Sequence, residues 1–279
     1  MQLDDLLLLA SGHLQILKNP YLETTFQQGK YRLNARIWNG KEWDFEKFSW
    51  DAGLMMHLVG LYWTEFDAGH LYDCHVDITC RNTDEGPITI FSQDEKNRII
   101  LLHSKAGFWC QQIYQLAHEL THFFIGGKEE NHNNWFYESL AELASNYFLE
   151  KMTAACAGSK FSLIKNYAMK IPGYIAGTNL YKAPPIPDPS TWLKEHEPHL
   201  LRNKTDRALN AQVANLLFPY FRKEKGIWDI LLFAPHTNLP LTELLSLWKN
   251  KLSVNKPELV HHLEYLQKLF LLSSGSPNI

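Results

Sequence analysis

The sequence predicts an α+β fold in which a segment of strands and one helix precedes an all-helical segment. Up to about residue 106, short apolar runs alternate with turn residues, as expected for strands. Beyond that point, apolar residues recur every three or four positions, as expected for helices. The chain has 279 residues, of which 45% are hydrophobic and 20% are charged, so it can bury a large core without a structural metal. We therefore expect two lobes, residues 1–106 and 107–279.

The first lobe contains five predicted strands and one predicted helix. The helix covers Asp51–Phe66, where apolar residues recur at helical spacing. The dipeptide Asn39-Gly40 predicts a hairpin turn. The predicted strands are Tyr21–Phe26, Tyr31–Trp38, Leu71–Thr79, Ile88–Ser92 and Arg98–His103.

The second lobe is predicted to be helical throughout. Its first helix carries an apolar stripe from Phe108 to Phe124 and ends at Gly126-Gly127, because glycine is common just past a helix C-terminus. The next helix covers Asn134–Met152, and the proline-rich stretch Ala183–Pro189 predicts a loop. Further helices are predicted over Thr205–Lys223, Ile227–Phe233, Leu241–Lys251 and Pro257–Leu271.

Charge and terminal composition exclude several classes of partner. The 27 Lys and Arg residues face 30 Asp and Glu residues, and no basic run could track a phosphate backbone, so we expect no nucleic-acid partner. The segment Met1–Asp5 is acidic where a signal peptide is basic, and Leu6–Leu9 is too short to span a bilayer. We expect a cytoplasmic protein without a membrane partner, although leaderless secretion would leave the same sequence. Reduced thiols are expected at Cys74, Cys80, Cys110 and Cys156.

The string His118-Glu119-Leu120-Thr121-His122 carries the clearest chemistry in the sequence. Histidines four positions apart lie on one helix face, so both imidazoles can bind a single zinc ion at ~2.0–2.1 Å. Glu119 lies about 100° around the helix from His118. There its carboxylate can take a proton from a water on the metal. The motif also has a plain alternative, which is a surface helix that contains these residues without metal.

A tetrahedral catalytic zinc needs a third protein ligand, and Glu138 on the next helix can supply it. The string from Trp135 to Glu142 resembles that of the gluzincin metallopeptidases, the clan that includes thermolysin, with serine in place of a glycine. The resemblance implies a thermolysin-like architecture with zinc in the cleft between the lobes. It also implies one Zn2+ per chain on His118, His122 and Glu138, with Glu119 as general base and Glu142 as an acid that supports a ligand histidine.

Two departures from that family leave assignments open. Only 15 residues separate His122 from Glu138, whereas Glu142 lies at the longer, thermolysin-like spacing, so either glutamate could be the ligand. We favour Glu138, because loops tolerate deletion better than a ligand environment tolerates change. The residue that stabilises the oxyanion is also unassigned. Its candidates, chosen by position alone, are Tyr147, Tyr174 and Tyr181.

The strand Arg98–His103 has two interpretations of equal weight. In such folds the edge strand before the zinc helix pairs with an extended substrate. The alternative is a buried strand with no contact to substrate. Other histidines are expected to play no part in metal binding: Pro198 should break any helix through His196 and His199, and the adjacent His261 and His262 cannot face one ion.

The sequence as a whole favours a zinc-dependent metallopeptidase that hydrolyses a peptide or protein substrate. The alternative from another class is an inactive or regulatory peptidase-like zinc protein that serves as a binding or sensor module. A nearer alternative is a narrow regulatory protease that cuts one partner. The substrate, the cleavage position and the oligomeric state cannot be read from the sequence.

Overall fold

The structure is a computed structural model, and it describes residues 1–39, 45–66, 74–81, 86–91, 97–126 and 134–271. These residues form a mixed α+β fold, as predicted. The strands are β1 Tyr21–Gln28, β2 Tyr31–Trp38, β3 Cys74–Arg81, β4 Ile88–Phe91 and β5 Asn97–His103. The longer helices are α1 Leu3–Ala10, α2 Phe45–Glu65, α3 Trp109–Ile125, α4 Trp135–Ala157, α8 Pro189–Leu200, α9 Arg207–Lys223, α10 Leu241–Asn255 and α11 Val260–Leu271. The short helices are α5 Ser162–Ala168, α6 Ile171–Ala176 and α7 Asn179–Lys182, together with a π-helix at Ser11–Ile16 and 3-10 turns at Ile227–Phe233 and Pro257–Leu259.

The five strands form one sheet in the order β1-β2-β3-β5-β4. Strands β1 and β2 are an antiparallel hairpin around Gly29, whose φ of 60° suits glycine. Strand β3 is parallel to both β2 and β5, and β4 is antiparallel to β5. The expectation that Arg98–His103 is the edge strand is therefore wrong, because β5 lies between β3 and β4. Among the described strands, β4 forms the edge on this side of the sheet.

One face of the sheet is packed and the other is partly open to solvent. In β2, buried side chains alternate with half-buried ones, so that Leu33, Ala35 and Ile37 point to the packed face. Helix α2 contacts β1 and β2. At Gly60 a Cβ would lie only 3.0 Å from the ring of Phe26, so the glycine lets the helix and β1 approach closely.

The predicted helix over Asp51–Phe66 is present and starts earlier, at Phe45. The predicted break at Pro198 is wrong, because α8 continues through this residue to Leu200. Pro198 is the third residue from the end of α8, and its missing N–H removes a single backbone hydrogen bond from the helix. Helix α1 and the short helices between residues 162 and 182 are not predicted from the sequence. Gly40, Gly127 and residues 71–73 lie outside the described residues.

The described residues divide into two compact units. The first unit contains residues 1–123 and 144–178, and the second contains residues 124–143 and 179–279. Helices α3 and α4 each run without a break from one unit into the other, so the two units share them. The expected boundary at residue 106 marks the change from strands to helices among the described residues. As a domain boundary it stays a prediction.

Each unit has its own core. In the first unit, Tyr62 of α2 stacks on Phe148 with ring centroids 3.7 Å apart. In the second unit, the Trp248 indole donates to the carbonyl of Ile230, and the Tyr137 hydroxyl donates to the carbonyl of Pro235. None of the described helices has the length and apolar character needed to cross a membrane.

Candidate metal centre

Helix α3 is held at its start by a buried carboxylate. Asp51 of α2 accepts hydrogen bonds from the Gly107 N–H at 3.1 Å and from the Trp109 indole. Gly107 has a φ of 79°, which glycine adopts without strain. Burial raises the pKa of the Asp51 carboxyl to about 7, although the hydrogen bonds from Gly107, Gln112 and Trp109 act in the opposite direction. The turn before α3 therefore has a fixed anchor.

The middle and the end of α3 are also fixed. The Tyr62 hydroxyl is fully buried and donates to the carbonyl of Ala117 at 2.6 Å. The buried Arg98 of β5 donates to the carbonyl of Phe123 in the last turn, where a cation also complements the helix dipole. The helix ends at Ile125, and Gly126 follows with a φ of 77°. Such supports keep side chains on α3 in a constant orientation.

Helix α3 is buried except for one half-buried stripe. The stripe repeats at intervals of three or four residues, so it follows a single face of the helix. Both motif histidines belong to it, whereas Glu119 lies beside it and is buried. We call this face the α3 stripe; its members are Gln111, Tyr114, Gln115, His118 and His122.

The two histidines have the spacing of ligands on one tetrahedral ion. Their Nε2 atoms are 3.3 Å apart. Two nitrogens bound at ~2.0–2.1 Å with a tetrahedral angle would be about 3.3–3.4 Å apart. A weak N–H···N hydrogen bond would give a similar distance, so the spacing by itself permits a metal and does not require one.

A carboxylate oxygen of Glu138 lies with the two histidines. Ligand atoms of His118, His122 and Glu138 are all within 4.8 Å of one another, and each residue is half-buried. Glu138 is in the first turn of α4, where the Asn134 side chain caps the helix by accepting from the Phe136 N–H at 2.8 Å. Two imidazoles and one carboxylate are a common donor set for catalytic zinc. The residues present therefore fit the ion that the sequence suggests.

Glu119 points away from the stripe towards the sheet edge. It is 4% exposed, and its Oε2 accepts a 2.7 Å hydrogen bond from the Thr89 hydroxyl of β4. This bond leaves the other carboxylate oxygen available to accept a proton. The sequence contained no signal for Thr89, because contact between a threonine and a glutamate 30 residues apart depends on the fold.

The remaining predicted site residues have other surroundings. Glu142 is half-buried one turn after Glu138 and does not join the group of ligand atoms found among the described residues. The Tyr147 hydroxyl donates to Glu65, and the Tyr181 ring contacts Phe218. Tyr174 contacts a member of the α3 stripe, since its ring centroid is 6.2 Å from that of Tyr114.

The other histidine pairs make structural contacts. The ring of His196 stacks on Trp192, and His199 pairs with Asp206 at 3.0 Å. Elsewhere, the buried His262 is bonded to the Tyr220 hydroxyl at 2.9 Å. Within the described part of the chain, the group on α3 and α4 is the one arrangement of three or more such residues with metal-ligand spacing. In the structure, none of the four cysteines forms a disulfide bond.

Comparisons with known proteins add no further information about this site. No protein-family model, curated protein or solved structure matches the chain. The assignment of a function therefore depends on the residues and their geometry.

Proposed function

We propose that this protein is a zinc-dependent hydrolase of the thermolysin-like type that cuts peptide bonds. The observation that carries the proposal is the convergence of His118, His122 and Glu138, with the histidine Nε2 atoms 3.3 Å apart and the three sets of ligand atoms within 4.8 Å. The peptide substrate is suggested by the resemblance of the two helices to gluzincin metallopeptidases. The donor set and Glu119 alone indicate metal-assisted hydrolysis.

The protein residues divide the work between binding and proton transfer. His118, His122 and Glu138 would hold the ion, which would supply Lewis acidity towards water and a carbonyl group. Glu119 accepts the proton of the attacking water and then donates it to the leaving amine. The Thr89 hydroxyl fixes Oε2 of Glu119, so the carboxylate does not have to reorient during this transfer. The anchors on α3 maintain the spacing of the histidines.

Strand β4 supports a substrate in extended conformation. Among the strands that the structure describes it is the edge strand next to β5, and its residue Thr89 contacts the proposed general base. An edge strand offers backbone N–H and C=O groups, so an extended peptide can add to it and bring one of its bonds near Glu119. The side chains of Ile88 and Ile90, which point to the face opposite Thr89, are 42% and 37% exposed.

The test compares the wild type with Glu119→Gln. We expect both proteins, purified without added metal, to contain one zinc per chain. We expect the variant to lose ~10²–10⁴-fold in activity, because an amide cannot accept the proton. Cleavage is measured as new N-termini in a proteome-derived peptide mixture. The exposed Glu195 on α8 provides a matched control, since Glu195→Gln makes the same chemical change away from the site.

Two outcomes would contradict the proposal. Absence of zinc from the wild-type protein, even after incubation with the ion, would remove the metal centre. Bound zinc with no Glu119-dependent cleavage would favour a binding or sensor module with a regulatory ion.

A further inference from the structure

We propose that one surface of the first unit binds the anionic lipid head groups of a membrane. We call it the α5–α6 surface; its members are Phe108, Leu163, Lys165, Met169, Lys170 and Tyr174. The inference goes beyond the proposed function and does not depend on the metal. It replaces the expectation of no membrane partner, which considered only segments that enter or cross a bilayer. A peripheral contact needs neither.

Helices α5 and α6 lie at the surface of the first unit with one side buried. The buried positions are separated by four, three and four residues, so they follow a single helix face. They are Ile164, Ala168, Ile171 and Ile175. Met169 and Lys170, which join the two helices, also have right-handed helical backbone angles, so the spacing continues across the junction. The other sides of both helices therefore point outwards.

A second stripe connects these helices with the turn before α3. It repeats the spacing of the buried face, and its members are Leu163, Tyr167, Lys170 and Tyr174. The last three of them line a cavity of about 240 Å³ together with Phe108, the residue that precedes α3. The turn before α3 and the pair α5 and α6 therefore form one continuous surface.

This surface exposes several large apolar side chains. Phe108 is 56% exposed, Leu163 is 52% exposed and Met169 is 76% exposed. Tyr174 is 37% exposed, with one edge against the ring of Tyr114. A single exposed apolar side chain is ordinary, whereas several on one surface mark a contact with a protein or a membrane. The α5–α6 surface therefore needs an occupant.

Lysines accompany the apolar side chains. Lys165 and Lys170 are exposed among them, and Lys105 is exposed in the turn before α3. In the part of the chain that the structure describes, these three lysines form no ion pair. Lys160 differs, because its charge acts on Asp4. A lysine stem can cover apolar surface while its ammonium group reaches towards lipid phosphates.

The two segments that form the surface contain no acidic residue. Neither residues 97–118 nor residues 151–187 include an aspartate or a glutamate, although they hold seven of the 27 lysines and arginines. The chain as a whole has a net charge of −3, so positive charge is concentrated in these segments. Lysines beside exposed apolar side chains complement an anionic bilayer in both charge and hydrophobicity.

The aliphatic side chains favour a bilayer over a single-stranded nucleic acid. Bases stack on aromatic rings, so Phe108 and Tyr174 would suit either occupant. Leu163 and Met169 have no aromatic face, and a base gains nothing comparable from them. The interface of a bilayer accepts aliphatic and aromatic side chains alike. We therefore name the membrane as the occupant and include a nucleic acid in the test.

The experiment measures cosedimentation of the protein with lipid vesicles. One set contains phosphatidylcholine and phosphatidylserine at about 7:3, and the other contains phosphatidylcholine alone. We expect the mixed vesicles to bind at least about tenfold more tightly, because the lysines attract the anionic head groups. This difference should disappear in about 1 M salt, where the Debye length is roughly 3 Å.

Two kinds of variant test the two components of the surface. Lys165→Gln together with Lys170→Gln should weaken binding to mixed vesicles by about 10- to 30-fold, since both charges lie near the anionic surface. Phe108→Ala and Met169→Ala should each weaken it by about three- to tenfold, because less apolar area enters the interface. Circular dichroism spectra of all variants should match that of the wild type.

Matched controls come from the second unit. Lys223→Gln together with Lys225→Gln removes two exposed lysines, and Leu247→Ala and Val254→Ala shorten side chains that are 45% and 83% exposed. These variants should bind mixed vesicles as the wild type does. Metal-free and zinc-loaded protein should also bind equally, because none of the proposed metal ligands belongs to the α5–α6 surface.

The outcomes keep this inference separate from the proposed function. Equal binding to both kinds of vesicle, or binding that the surface variants leave unchanged, overturns the inference. Tighter binding to a short single-stranded oligonucleotide or to polyglutamate than to mixed vesicles, weakened by the same variants, overturns it in favour of a nucleic acid or an acidic protein. Absence of zinc or of cleavage overturns the hydrolase alone and leaves vesicle binding as expected.

Discussion

Two pairs of histidines on helices show how different surroundings give the same side chain different uses. His118 and His122 are one turn apart on α3, half-buried, with their Nε2 atoms 3.3 Å apart and the Glu138 carboxylate nearby. His261 and His262 are adjacent on α11, with ring centroids 3.9 Å apart. His262 is 1% exposed and bonded to the Tyr220 hydroxyl.

The difference lies in how the ring nitrogen atoms of the two pairs are placed. On α11, His262 uses Nδ1 for Tyr220, while His261 uses Nδ1 for the carbonyl of Glu258 at 2.7 Å. Burial also lowers the pKa of His262 to about 4, with a smaller contribution from His261, so this ring stays neutral within the core. On α3 the two Nε2 atoms converge and face a carboxylate. Spacing and exposure together thus separate a candidate metal pair from a packing pair.

Substitution of a histidine should weaken zinc binding in the α3 pair, His118 and His122, and leave it unchanged in the α11 pair, His261 and His262. This is the largest effect that we predict. His118→Ala or His122→Ala should weaken zinc binding by about two orders of magnitude or more, because one ligand carries on the order of 3 kcal/mol of a typical site. The fold should persist, because the core does not depend on the metal. Zinc content and circular dichroism measure both effects. The exposed His261 is the control, since His261→Ala should retain zinc; unfolding of His118→Ala would indicate a structural metal instead.

The next prediction concerns Glu138 and Glu142 of α4 and tests which of them completes the site of His118 and His122. Glu138→Ala should reduce zinc affinity by about 100-fold, because it removes a direct bond to the ion. Glu142→Ala should reduce it by less, within the ~10–100-fold typical of residues that support a ligand. Competition with a chelator measures both affinities. A larger loss for Glu142→Ala would reverse the assignment of the two residues.

The sequence predicted the helix-borne parts of this centre better than the parts contributed by the sheet. Helix periodicity and one five-residue motif were enough to place His118, Glu119 and His122 on α3, because their relation is local. The position of β5 inside the sheet and the contact of Thr89 with Glu119 depend on strand order, which short apolar runs do not encode. Pro198 likewise lies inside α8, although the local rule for proline predicts a break there.

A smaller effect is expected from the hydroxyl group that holds Glu119. Thr89→Val keeps the shape of the side chain and removes the donor to Oε2, whereas Thr89→Ser keeps the hydroxyl. We expect Thr89→Val to lower kcat by about tenfold at unchanged zinc content, with Thr89→Ser near the wild type. Steady-state kinetics on the best peptide from the proteome-derived mixture gives kcat and KM separately. Equal losses in both variants would show that packing matters there and the hydrogen bond does not.

The last prediction concerns His262 of α11. Its protonation should lower the free energy of unfolding and leave zinc binding unaffected. The folded-state pKa of His262 is about 4, below its ordinary value of 6.5. Between these values the unfolded chain binds more protons than the folded chain, so stability falls as the pH decreases from 6.5 towards 4. One such group contributes at most about 1.4 kcal/mol per pH unit.

His262→Gln should therefore be less stable than the wild type at pH 7, since it replaces a packed ring, but should lose less stability on acidification. Urea unfolding at pH 7 and pH 5 measures both quantities, and zinc content should be unchanged. His13→Gln is the matched control, because His13 is exposed. The lowered pKa of the buried His57 affects the wild type and both variants alike, so it cancels in the comparison. If acid destabilises His262→Gln as strongly as the wild type, His262 does not titrate as its burial requires, and the contrast between the two pairs rests on spacing alone.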